Sequence, residues 1–213
     1  MRNGKFILLG LVLISCYPDS AEIFEPEIEA RADIVSIEKI GYNEFNIEGE
    51  EIGTASFAQD GNIVRIKVDL KNMTPNSSKS VHLHNGSIEK PGRHWNQQSF
   101  YAFCKELSMG SPWGKPFAGD VGNVQIDENG MGTLTILTDL WALNSGDEKD
   151  ILDKVVIVHD DPEDFAYECD PFHVDYQPHS NLKIGGGYIK LQSEIEQKAQ
   201  TASTSFPDFT ICR

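Results

Sequence analysis

The sequence predicts an all-β domain carrying two long loops, and three observations predict it. Short alternating or β-branched runs recur from Ile34 to about residue 192. Gly, Asn and Asp punctuate those runs where tight turns are needed. Two segments, roughly 85–118 and 160–182, are too long to be turns, and loops of that length in a compact β domain usually carry function. The 213 residues, 39% hydrophobic and 24% charged, suit one domain with a full core and some appended segments.

The elements follow in order. IVSIEKI (34–40), GTASFAQ (53–59) and NIVRIKVDL (62–70) read as successive strands of a meander, and QDGN at 59–62 supplies the positive φ that a two-residue hairpin turn requires. SVHLHNG (80–86) is a strand entering a turn. VGNVQID, the turn at Asn129 and Gly130, and GTLTILTDL give two further strands. KVVIVHDD (154–161) reads as a buried strand ending at an acidic loop, and GGGYIKLQ (185–192) closes the domain, which spans 34–192. Trp95, Phe100, Tyr101, Phe103 and Trp113 in the first long segment need something to pack against, which argues for order there. The polar stretch 193–213 is expected to be a short helix or disordered.

The N-terminus reads as a targeting signal. Arg2 and Lys5 precede an apolar run from Phe6 to Ile14, which is too short to span a bilayer. The ending LISC resembles the lipobox of bacterial lipoproteins, which makes residues 1–15 a signal peptide and Cys16 the expected lipidated N-terminus. Residues 16–33, acidic and Pro-containing, read as a tether between lipid and domain. The chain is thus expected outside the cytoplasm of a bacterium, touching a membrane only through its anchor. Net charge of −15, from 33 acidic against 18 basic residues, argues against nucleic acid as a partner. Of the cysteines left after Cys16, the preferred disulfide is Cys104 with Cys169, because Cys212 lies in the polar tail.

His82 and His84 are two apart in a strand, so both imidazoles leave the same face and can reach one point. His94 in the following loop and His159 at the end of a distant strand could complete a four-nitrogen copper site, since Cu(II) favours a tetragonal arrangement that one strand cannot supply. Histidines scattered in unrelated roles are the alternative. VHLHNG, GRHWNQ, GDVGNV (119–124), VVIVHDD and KIGGGYI, in that order, resemble the motifs of the copper/zinc superoxide dismutase family.

That resemblance implies a Greek-key β-barrel or sandwich of the superoxide dismutase type, with copper as cofactor and superoxide as substrate. It places His82, His84, His94 and His159 on the copper ligands, with His94 also carrying a proton, and Asp120 on a carboxylate zinc ligand or an orienting role. Phe117 and Met109 stand where two zinc histidines are expected, so zinc is doubtful unless His173 or His179 substitutes. Lys183 falls on the cation that guides superoxide, keeping its charge without the planar fork of arginine. The family's intrasubunit disulfide would join SIEKPG to Gly186, where neither side has cysteine. Two functions remain open: a copper-only or zinc-poor superoxide dismutase, or a non-enzymatic lipoprotein that binds and sequesters copper on the same fold. A homodimer is compatible with either.

Overall fold

In the computed structural model, residues 24–97, 118–163 and 182–204 are described. The elements are β1 (Ile28–Gly41), β2 (Glu44–Asp60), β3 (Ile63–Leu70), β4 (Ser78–His84), β5 (Asp120–Gln125), β6 (Gly132–Thr138), β7 (Val155–His159), β8 (Lys183–Tyr188), β9 (Lys190–Leu191) and α1 (Gln192–Thr204). The strands form one antiparallel sheet in the order β5-β4-β7-β8-β1-β2-β3-β6, with β9 beside β1. A turn joins the two end strands, β5 and β6, through Asp127 N–H donating to Met131 O at 2.7 Å, so the sheet curls into a nearly closed barrel. The connections β3→β4 and β6→β7 each pass to a strand that is not a neighbour, which is the Greek-key pattern that the resemblance implies.

Period-two alternation builds the core. In β3, Val64, Ile66, Val68 and Leu70 point inward while Arg65 and Lys67 face water. They meet Ala32, Ile34, Ala55, Phe57, Val81, Leu83, Val156 and Val158 from the strands around them. Each fully buried aliphatic or aromatic side chain contributes roughly 1.5–3 kcal/mol. Trp95 is buried in this core, which accounts for its place in the first long segment. The hairpin turn after β2 falls on Gly61 and Asn62, and Gly61 carries the positive φ of 54°.

β1 starts at Ile28 and takes in residues 28–33, which the sequence reading assigned to the tether. The cause is visible in the alternation: Ala30 and Ala32 bury completely or nearly so, while Glu29 and Asp33 face out. The start of the polar tail forms a helix, α1, and no helix among the described residues is long and apolar enough to cross a membrane. Cys16, Cys104, Cys169, Met109, Phe117, His173 and His179 lie outside the described residues, as do the signal peptide and residues 16–23 of the expected tether.

A second, smaller apolar cluster sits on the outside of the barrel. It joins Ile37 and Phe45 of the β1–β2 hairpin to Ile88, Val155, Ile157 and the partly buried Tyr188. A Cβ placed on Gly186 would lie 2.9 Å from Ile88 Cγ2, so the two regions expected to lack the family disulfide meet through a side chain on bare backbone.

Candidate metal centre

Every residue of β4 from Lys79 to His84 is buried, because the strand is covered on both faces. Val81 and Leu83 enter the barrel core, and His82 and His84 leave from the opposite face. Three backbone hydrogen bonds then bring the other ligands' neighbours to this strand. Trp95 N–H donates to Leu83 O at 2.7 Å, Leu83 N–H to Gly119 O at 2.8 Å, and Gly119 N–H to Trp95 O at 2.9 Å. Leu83 lies between two histidines, Trp95 follows His94 and Gly119 precedes Asp120, so this ring of bonds fixes three parts of the chain around one point. Only glycine fits at 119, since a Cβ there would stand 2.6 Å from Trp95 O. His159 arrives from the end of β7, which pairs with β4 through Val81 and Val158.

The four histidines are all buried, and one ligand nitrogen from each lies within 4.8 Å of the others. Among the described residues this is the one such group of three or more. The partners of the remaining ring nitrogens say which nitrogen each presents. His94 Nδ1 lies 2.9 Å from Asp120 Oδ1; a carboxylate accepts, so Nδ1 carries the hydrogen and Nε2 turns inward. His84 Nδ1 lies 3.3 Å from Gly92 O, and by the same reasoning its Nε2 faces the centre, 3.4 Å from His159 Nε2. His82 is placed the other way round, with Nε2 3.3 Å from Glu163 Oε2, which leaves Nδ1 for the centre.

Glu163 is itself held. Asn123 Nδ2 donates to Glu163 O at 2.9 Å, and Glu163 N–H donates to Asn123 Oδ1 at 2.8 Å. Upstream, Lys79 Nζ donates to Asp160 O and Oδ1, both at 2.6 Å, and Ser80 Oγ donates to Asp161 O at 2.9 Å. The chain after His159 is therefore fastened to β4 and β5 before it returns to His82. The sequence marks the loop after His159 as acidic but singles out neither Glu163 nor Asn123. The signal was present in the asparagine of GDVGNV and the acid four residues beyond His159.

Burial sets the charge state. It is the largest cause that holds His84 well below the ordinary histidine value of 6.5, with the neighbouring His94, His159 and Lys183 adding to it. His94 is pushed down to about 3, by burial first and then by the Lys183 charge. Lys183 is buried beside the site, opposite His159 in the β7–β8 ladder and 5.8 Å from the Phe45 ring centroid. Its own value is lowered from 10.5 by burial and then by Lys39.

Neutral imidazole nitrogens converging from β4, the loop at 94 and the end of β7 form a donor set that fits a single copper ion. Asp120, expected as a carboxylate zinc ligand or an orienting group, lies 2.9 Å from His94 Nδ1.

Comparison with known proteins agrees with this geometry. A family model described as copper/zinc superoxide dismutase (SODC) matches residues 51–185, more than half of the chain. The chain belongs to the copper/zinc superoxide dismutase family. Superoxide dismutase [Cu-Zn] 1 of Aquifex aeolicus (strain VF5) is 29% identical over 149 residues, covering 68% of this chain and 80% of that protein. Superoxide dismutase [Cu-Zn] 2 of the same organism is 27% identical over 176 residues, covering 80% and 92%. The barrel resembles the crystal structure of a mutant of an SOD-like protein from Bacillus subtilis, with a TM-score of 0.54 at 19% identity over 74% of this chain and 95% of that one. The expectation of a superoxide dismutase-type barrel is met.

Proposed function

We propose that this chain dismutates superoxide with copper held by His82, His84, His94 and His159, using copper alone or with only weak zinc. The observation that carries the reading is the convergence of four buried imidazole nitrogens within 4.8 Å in a member of this family. The reaction converts two superoxide anions and two protons to O₂ and hydrogen peroxide. Copper, when bound, supplies the one-electron couple that moves an electron from one superoxide to the next.

The chain supplies the rest. Burial keeps the imidazoles of His84 and His94 neutral and available as donors. Asp120 and Glu163 fix the rings of His94 and His82 through the nitrogens that face away from the centre. His94 is the proton carrier: its Nδ1 hydrogen is committed to Asp120, so the mobile proton belongs to Nε2, and burial makes that nitrogen a poor holder of it. Lys183, beside the cluster, attracts the anion. The LISC motif supports export and lipid anchoring through Cys16, with the activity directed at superoxide outside the cytoplasm.

The test is to load the chain with copper, quantify copper and zinc, and measure superoxide consumption with and without a chelator. Consumption that follows copper occupancy with zinc absent supports the reading. One equivalent of bound copper with no consumption selects the copper-sequestering alternative.

A further inference from the structure

The outer face of β4, β7 and β8 carries the histidines and, directly beside them, the smaller apolar cluster. His82 and His84 stand opposite Ile157 and Val155 in the β4–β7 ladder, and those two residues pack with Ile37 and Phe45. The tip of the β1–β2 hairpin is thereby held on the same face as the metal centre. Its fastening is specific: Phe45 N–H donates to Glu89 O at 3.0 Å, and the Phe45 ring is 5.8 Å from Lys183 Nζ. Lys39 is directly opposite Phe45 in the hairpin register, and cross-strand partners project from the same face. Lys39 is exposed, and neither it nor Lys183 forms an ion pair among the described residues.

The segment leading from His159 to Lys183 offers no cation of its own. Residues 160–182, between His159 and Lys183, contain no lysine or arginine and several acids, and the net charge of −15 opposes any anion at long range. Beyond a Debye length of about 8 Å that opposition is screened, so cations close to the entrance decide the approach. Lys39 and Phe45 lie before residue 51, outside the stretch matched by the family model.

We propose that the hairpin tip walls the approach to the histidines and that Lys39 is a second substrate-guiding cation, acting with Lys183 on either side of Phe45. The proposal rests on the superoxide reading of the site. The influence of Lys39 on the Lys183 ammonium supports their proximity.

The test uses the copper-loaded chain and the variants Lys39→Glu, Lys39→Gln and Lys39→Arg, with two readouts. The first is the second-order rate constant for superoxide as a function of ionic strength; the second is azide affinity, read from the absorbance of the copper site and needing no turnover. At low salt Lys39→Glu should lower the rate constant about 3- to 10-fold and weaken azide by a similar factor, and the gap should close at high salt. Lys39→Gln should fall between, and Lys39→Arg should match the parent. The copper electron paramagnetic resonance spectrum should be the same in all four. Equal rates, salt slopes and azide affinities in Lys39→Glu and the parent overturn the proposal, as does a copper spectrum altered in every variant, which would make Lys39 structural. A parent that binds copper but consumes no superoxide overturns the superoxide reading alone, and the azide titration still decides the role of Lys39.

Discussion

His94 Nδ1 and Asp120 Oδ1 are 2.9 Å apart with both side chains almost wholly buried, so one histidine of the candidate metal centre is fixed by a carboxylate within the chain itself. The bond selects the tautomer that turns Nε2 to the other three imidazoles. Replacing Asp120 by Ala should leave His94 free to rotate and weaken copper about 10- to 100-fold, while Asp120→Asn, which still accepts from Nδ1, should lose less. Competition against a chelator of known affinity reads both, and equal affinity in Asp120→Ala and the parent would remove Asp120 from the account.

Asn123 holds Glu163 by two hydrogen bonds to its backbone, and Glu163 in turn faces His82. Asn123→Ala should cost about 1–3 kcal/mol of stability, at roughly 0.5–1.5 kcal/mol per bond. It should also weaken copper in the same direction as Glu163→Ala. Denaturant midpoints and copper titrations of the two single variants and their double variant check the coupling, since residues acting through one another give a double loss smaller than the sum. Strict additivity would mean that the clasp and the carboxylate work separately.

The metal-free chain should lose stability as pH falls below neutrality. An unfolded histidine takes up a proton near 6.5, whereas His94 in the folded chain resists until about 3, and His84 is shifted in the same direction. Between those values the unfolded state binds more protons, so stability rises with pH through this window and falls as pH drops from 6.5 toward 3. Asp69, also lowered in the fold, adds to the loss only below its ordinary value of 3.8. Urea midpoints at pH 7.5 and pH 5 should therefore differ, with the lower midpoint at pH 5. A midpoint that is unchanged or higher at pH 5 contradicts the buried neutral cluster.

At Gly186 a Cβ would lie 2.9 Å from Ile88 Cγ2 and 3.3 Å from Ile157 Cδ1, with no spare volume between β8 and the loop before His94. Gly186→Ala should destabilise by about 1–3 kcal/mol through overpacking. Adding Ile88→Ala should relieve part of that cost, giving a double variant more stable than the sum of the singles predicts. If the two effects simply add, the contact does not fasten this loop.

The strands were legible where alternation was strong. β3 alternates Val64, Ile66 and Val68 with Arg65 and Lys67, and its hairpin turn contains the expected glycine. The beginning of β1 was hidden because alanines occupy its inward positions and charges its outward ones, a pattern that a solvated tether shares. The four histidines were legible as a set through the order of the motifs that carry them, and the structure brings all four together. Contacts made by returning loops were not legible. That Glu163 meets His82, or that Phe45 lies beneath Lys183, depends on how a loop and a hairpin fold back over the sheet, and no periodicity records that.

The most direct test is the coordination of copper in the loaded chain, measured by X-ray absorption together with metal content. One copper per chain with a first shell of four imidazole nitrogens is the expected result, with His82, His84, His94 and His159 each reducing the nitrogen count when replaced. Copper held by two nitrogens or fewer, or retained unchanged after those replacements, would contradict the account.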